Sequence, residues 1–410
     1  MERRDDDRLC GFGVGPGTPV ISGPMNVLIV VPWDQTFGGV AGVVNNLARQ
    51  LIGAGHDVSF FSGKTSSFLL QRGKTQVGFP QFRLRCLVPF VGNISWRGSL
   101  AGLVMFPFVL LQLLWLIRRE RINLINIHYP TSQLFFSLCR LLSRVKLVTS
   151  VHGADIFPGG KPREAYPRRL RFLFNRSDAI VANSEAFRED FLALFPELRG
   201  KTTFIHNGVD WDELHPEDLS LAPQRVPYVL CVAAHNEKKA LDVLLQAFAK
   251  VVRSDDEVQL VLVGDGPLRA DLEKLAADLQ MSQRVIFAGA LERPEVVRRL
   301  HGCTVFVLPS RSEPFGIAIV EAMACGKPVV GSRTGGISEI IADGQDGLLV
   351  EPDNPEALAE AIKRLLSDAG LRAELGSRGS EKVRNRFLWE HTASAYQRLF
   401  REIIAVRAKG

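Results

Sequence analysis

Short apolar runs recur along the chain, separated by stretches of helical length in which apolar residues return every three or four positions. The first series comprises NVLIVVP (26–32), HDVSFFS (56–62), INLINIH (122–128), KLVTSVHG (146–153), DAIVANS (178–184) and KTTFIHNG (201–208). These runs lack the strict alternation of a half-exposed strand, so they suit a parallel sheet covered on both faces. Their alternation with helices gives βαβ units. A stretch with three prolines, several acids and no apolar rhythm follows, VDWDELHPEDLSLAPQRVP (209–227). A second series then runs through YVLCVAA (228–234), VQLVLVGDG (258–266), RVIFAGA (284–290), TVFVLPS (304–310), PVVGS (328–332) and GLLV (347–350). Helices are predicted over 240–253, 268–280 and 355–368, with SEKVRNRFLWEHTASAYQRLFREIIAVR (380–407) as the last. The fold class is α/β, two doubly wound domains with a cleft between the carboxyl ends of their sheets, where open α/β sheets bind ligands.

One apolar stretch departs from this rhythm. Leu100–Ile117 is 18 uncharged residues followed by RRER. Its length is marginal for a membrane span, and Pro107 and Gln112 count against one. A buried helix is the first expectation. A helix dipping into a membrane surface, with arginines at its end, is the second.

Composition adds two points. Of 410 residues 46% are hydrophobic and 23% charged, ordinary globular material for two or three domains. Six scattered cysteines form no CxxC pair, which argues against a zinc or thioredoxin-type site and fits a reduced, cytoplasmic chain. The net charge of +6 is uneven: residues 81–180 hold 15 Lys and Arg against four acids, leaving the remainder at −5. A basic front half suits an anionic lipid surface, an acidic glycan, nucleic acid, or a merely solvated face. The first residues, MERRDDDRLC, have no apolar segment of a secretory signal, and residues 1–24 are predicted to be a disordered tail.

The chemistry concentrates at strand ends. EPFGIAIVE (313–321) begins and ends with a carboxylate and lies between the strand TVFVLPS and a helix that starts near Gly316. A helix N-terminus has free N–H groups and a positive dipole, which suit a phosphate. Gly316 allows close approach of a ligand to the backbone. Glu321, one to two turns into the helix, is placed to accept hydrogen bonds from a diol such as ribose. The segment therefore suits a sugar, a diphosphate and a ribose in a row. FGGVAGVV (37–44), with Gly38 and Gly39, is a phosphate-type turn after the first strand. Gly264 in VLVGDGP offers room for a nucleobase, SRTGGISEII (332–341) supplies another strand-end glycine pair, and Lys238 and Lys239 open a helix within reach of a diphosphate. His152 in VHGAD ends a strand of the front domain.

In this order and spacing the pieces resemble the retaining glycosyltransferases of family 4, whose fold is GT-B. The resemblance runs from about Met25 to the last helix. It is strongest over 305–353, where Glu313 and Glu321 are similar to the family's E-x7-E element, and includes HNGVD (206–210) and VANSE (181–185). It implies an acceptor-binding Rossmann-like domain over 25–210, a linker over 211–227, a nucleotide-sugar-binding domain over 228–388 and a helix over 389–410 that returns to the first domain. The implied activity is transfer of a sugar from a nucleotide-diphosphate sugar to an acceptor hydroxyl in glycan, polysaccharide or glycolipid synthesis, with neither metal nor other cofactor. Glu313 would hold donor-sugar hydroxyls, the backbone of Phe315, Gly316 and Ile317 would meet sugar and diphosphate, and Glu321 would hold the ribose. Gly38 and Gly39 would lie against the diphosphate and His152 beside the reacting sugar. Beside these, the residues themselves put Lys238 and Gly264 in the donor site and make Lys239 catalytic with His152 and Glu313, stabilising the charge that develops on the diphosphate. The acceptor would be a glycan or lipid-linked molecule, with an anionic membrane surface as a further partner at the inner membrane face and nucleic acid not expected. Alternatives on the same fold are a sugar-nucleotide epimerase, a phosphorylase or a non-catalytic binder. The resemblance departs at AAHNEKKAL (233–241): the family's Arg and two glycines are absent, with Ala233, Ala234 and Ala240 in their neighbourhood. Lys239 is retained, and Lys238, His235 or Asn236 is left to replace the Arg.

Overall fold

The computed structural model describes residues 23–31, 39–63, 65–86, 96–129, 133–153, 156, 166–219, 226–252 and 257–405. Most of the expected tail, residues 1–22, lies outside them. The chain divides into two compact units: residues through His206 together with Thr392 onward, and Asn207–His391.

Among the described residues the first unit is built on eight strands: β1 (Asn26–Val31), β2 (Asp57–Ser62), β3 (Gln71–Lys74), β4 (Pro80–Arg83), β5 (Leu124–His128), β6 (Lys146–Ser150), β7 (Ala179–Ala182) and β8 (Thr202–Phe204). Their order is β3-β4-β2-β1-β5-β6-β7-β8, parallel except for the antiparallel edge pair β3/β4. Strands β5 and β7 are buried along their whole length, which their unbroken apolar runs demand. The helix Trp96–Arg119 lies on this sheet. The expectation of a buried helix needs correction, because the helix has two faces. Val109, Leu113 and Leu116 sit in the core with Ile125 and Phe135, while Val104, Phe108, Leu111 and Trp115 are exposed. Spacings of three and four residues put each set on one side of the helix.

Among the described residues the second unit has six parallel strands: β9 (Tyr228–Val232), β10 (Gln259–Val263), β11 (Val285–Gly289), β12 (Val305–Leu308), β13 (Val329–Ser332) and β14 (Leu348–Val350). Their order is β11-β10-β9-β12-β13-β14. Its core gathers Leu244 and Phe248 from one helix, Phe306 from β12, Met323 from the helix Ile317–Ala324 and Ile362 from the helix Pro355–Ser367. Within 209–227 the structure has a short helix, Trp211–Leu214, N-capped by Asp210.

The stretch read as one helix over 380–407 is interrupted. Helix Ala369–Arg386 stops, and a new one runs Trp389–Ala405. The cause is non-local. Val209 N–H donates to the Phe387 carbonyl at 2.8 Å, and Val209 bridges Leu388. Gly208 passes so close that a Cβ there would stand 2.6 Å from the Trp389 nitrogen.

Candidate active site

In each sheet the strand order reverses direction at one place, and loops leaving the carboxyl ends there diverge to form a crevice. In the second unit this place lies between β9 and β12, the two strands that precede Lys239 and Glu313. Sequence separates these residues by 74 positions, yet Lys239 Nζ donates to Glu313 Oε2 at 2.5 Å. Both side chains are largely buried, which strengthens the charge-assisted bond.

The glycines around Glu313 explain how it is held. Gly336 N–H donates to the Glu313 carbonyl at 3.0 Å. A Cβ on Gly335 would lie 2.1 Å from that same oxygen, and one on Gly336 would lie 2.5 Å from Phe315 Cα. The SRTGG turn thus clamps the EPFG backbone, and only glycines leave the space. Gly316 takes φ 109° and caps the helix Ile317–Ala324, which begins four residues after Glu313. Phe315 is buried, so this segment offers a ligand its backbone, with Ile317 half-buried beside it.

Glu321 is engaged by a residue that the sequence reading missed. Arg293 Nη1 lies 2.8 Å from Glu321 Oε1, and Arg293 Nε donates to Glu213 Oε1 at 2.5 Å. Burial raises the Glu321 carboxyl above its ordinary pKa, and Arg293 offsets this only in part. The one local signal for Arg293 was its place before Pro294 at a helix start.

The departing segment AAHNEKK is also defined. Ala234 is exposed and His235 is turned into the core, its ring edge-on to Phe287 at 6.2 Å between centroids. No described residue hydrogen-bonds either ring nitrogen. Lys238 is half-buried, and burial followed by the Lys239 charge lowers its pKa. Ala240 adopts φ 50°, ψ 41°, a left-handed conformation that favours glycine. At Gly264 the constraint is steric: φ is +126° and a Cβ would stand 2.1 Å from the Ala233 carbonyl oxygen. Arg311 joins Asp242 at 2.6 Å and Asp353 at 2.6 Å, tying the loop after β12 to the helix that follows Lys239. Among the described residues no three His, Cys, Asp or Glu side chains group as a metal site.

In the first unit the order reverses at β1, between β2 and β5. Gly39 opens the helix Gly39–Gly53 after β1, while Gly38 lies outside the described residues. His152 follows β6 and has a partner that the sequence reading did not single out, His128 at the end of β5. The rings stack at 5.1 Å, with His128 Nδ1 and His152 Nε2 2.9 Å apart. A directed chain reaches them. Tyr396 Oη lies 3.2 Å from Ser150 Oγ, which donates to Asn126 Oδ1 at 3.1 Å. Asn126 Nδ2 is 3.0 Å from His128 Nε2. With that amide donating, His128 Nε2 accepts and His128 Nδ1–H donates to His152 Nε2, so His152 carries its proton on Nδ1. Burial lowers both histidines, His128 with help from neighbouring His152 and His152 to about 4. Both rings are therefore neutral near pH 7.

Comparisons with known proteins meet this geometry. Residues 37–213 match the family model Glycosyltransferase Family 4, and residues 218–382 match Glycosyl transferases group 1. The chain is similar to N-acetyl-alpha-D-glucosaminyl L-malate synthase of Bacillus anthracis, 26% identical over 396 residues, 93% of this chain and 98% of that one. It is also similar to an uncharacterised glycosyltransferase of Methanocaldococcus jannaschii, 30% identical over 290 residues, 70% of this chain and 78% of that one. Among solved structures it resembles sucrose-phosphate synthase from Thermosynechococcus elongatus, with TM-score 0.75, 24% identity and coverage of 93% and 100%. It also resembles Anabaena HepE in complex with UDP and glucose, with TM-score 0.73, 22% identity and coverage of 92% and 99%. These likenesses establish the GT-B fold with its two Rossmann-like sheets. Two family models that together span both units, and a glycosyltransferase 30% identical over most of its length, show that the chain belongs to the family 4, group 1 glycosyltransferases.

Proposed function

We propose that the protein transfers a sugar from a nucleotide-diphosphate sugar to an acceptor hydroxyl with retention of anomeric configuration, using neither a metal ion nor another cofactor. The observation that carries this reading is the Lys239–Glu313 pair at the β9/β12 reversal, next to the N-terminus of the helix Ile317–Ala324. Lys239 and the helix N-terminus stabilise the charge that develops on the departing diphosphate, where fixed charge and dipoles act most strongly. Glu313, anchored by Lys239 and the Gly335–Gly336 clamp, holds donor-sugar hydroxyls as an acceptor. Glu321 holds the ribose with Arg293 behind it, and the backbone from Phe315 to Ile317 meets sugar and diphosphate. Lys238 and Gly264 complete the donor site within the second unit.

His152, neutral and fixed by His128, is the first unit's positioned hydrogen-bonding group, and we assign it to the reacting sugar. The C1–O bond to the leaving phosphate breaks, and the acceptor oxygen attacks C1 from that same face. The departing phosphate oxygen takes the acceptor proton, so the step balances without an enzyme nucleophile. The UDP and glucose bound to Anabaena HepE support this donor class, and the name of the B. anthracis relative supports transfer of a glycosyl group. The acceptor is a glycan or lipid-linked molecule, met at the cytoplasmic face of the membrane. The test is release of nucleoside diphosphate from a panel of UDP-, GDP-, ADP- and dTDP-sugars with candidate acceptors. Acceptor-dependent release by the native protein, reduced in Glu313→Gln, is the expected result. Turnover that ignores the acceptor would overturn the reading.

A further inference from the structure

Twelve large apolar side chains are exposed among the described residues, and five of them lie on one helix, Trp96–Arg119. Four form a stripe at successive turns: Val104 (67% exposed), Phe108 (43%), Leu111 (65%) and Trp115 (50%). An apolar stripe of this kind, concentrated instead of scattered, marks an interaction surface. Arg118 and Arg119 follow it, and the Arg119 guanidinium sits 4.7 Å from the centre of the Trp115 ring. The helix contains no acid. Strands β5 and β6 are parallel, so the helices Trp96–Arg119 and Gln133–Leu142 that precede them both end on the side of the sheet where these strands begin. There Leu141 and Leu142 are exposed, with Arg121 and Arg144 exposed beside them in sequence.

We infer that this face docks on an anionic lipid surface, with the helix lying in the plane of the membrane. The apolar stripe enters the headgroup boundary and the terminal arginines meet the lipid phosphates. A tryptophan with an apolar ring and a cation over it suits that boundary. The charge complements the partner: 15 Lys and Arg against four acids over residues 81–180. A transmembrane placement conflicts with the packing. Val109, Leu113 and Leu116 are locked in the core on the opposite side, and Gln112 accepts from Leu70 N–H at 2.7 Å and donates to the Phe68 carbonyl at 2.8 Å. This docking deepens the reading of a lipid-linked acceptor, and it is measurable without acceptor or donor.

The experiment is flotation of the full chain with vesicles of phosphatidylcholine alone or mixed with phosphatidylglycerol. Flotation is expected with the anionic vesicles, weakened by high salt. Arg118→Gln/Arg119→Gln should lower binding about 25-fold, fivefold for each charge near an anionic surface. Phe108→Ser/Leu111→Ser should lower it at least tenfold, since both side chains already face solvent and their loss leaves the core intact. Thermal shift by nucleoside diphosphate, unchanged in both variants, reports folding and the donor site separately. Native protein that floats but shows no nucleotide shift supports the docking and counts only against the donor reading. Absence of flotation with anionic vesicles at low salt overturns the docking. So does a dimer in solution that Phe108→Ser/Leu111→Ser dissociates without any lipid binding, which would make a second copy the occupant.

Discussion

Acidification should destabilise the first unit through His152. The His152 ring has a folded pKa of about 4 against an ordinary 6.5, because burial disfavours its charged form. Between those values the unfolded chain binds more protons than the native one, so stability falls as pH falls. The contribution is intact above 6.5 and is lost progressively down to about 4. Going from about pH 7 to about pH 5 removes about 2 kcal/mol through this one residue, and complete titration removes about 3 kcal/mol. His128, buried deeper and facing His152, acts in the same direction. For a unit of this size about 2 kcal/mol corresponds to roughly 4–8 °C in Tm. The assay compares thermal unfolding of the native protein and His152→Asn at the two pH values. The native protein should lose more than the variant by that amount. Equal losses would refute the account of a neutral pair of a buried His128 and a half-buried His152.

Three further substitutions probe the site's supports. Ala240→Gly should raise stability by about 0.5–1 kcal/mol in urea unfolding, since relief of left-handed strain exceeds the added freedom of the unfolded chain. Gly336→Ala drives a Cβ to within 2.5 Å of the Phe315 backbone and should cost roughly 1–3 kcal/mol while displacing Glu313, read as lost stability together with a lower kcat. Arg293→Met leaves Glu213 and Glu321 without their shared cation; stability should fall by about 1–3 kcal/mol, after allowance for the exposure of the arginine, and the Kd for nucleoside diphosphate should rise in calorimetry.

The sequence makes the architecture legible because parallel strands covered on both faces are apolar throughout, and both series of runs appear as strands. The edge pair β3/β4 escapes that reading: QRGK has no apolar side chain and PQFR no apolar run. The exposed stripe of the helix Trp96–Arg119 escapes it too, because an apolar helix looks the same in sequence whether one face or both are covered. Among site residues, Lys239 stands out at a helix start and Glu313 after a strand end, but their bond depends on β9 lying beside β12, and strand order is not written in any local pattern. Arg293, His128 and Tyr396 carry no motif. Their importance comes from what the fold sets against Glu321, His152 and Ser150.

The central claim is transfer with retention at a site organised by Glu313 and Lys239. Its most direct measurement is NMR assignment of the product's anomeric configuration, with the rate of nucleoside diphosphate release by native protein and Glu313→Gln. A product with the donor's configuration is predicted, with kcat reduced roughly 10²–10³-fold in the variant, the size of one lost preorganised electrostatic contact. An inverted product, or full activity in Glu313→Gln, would contradict it.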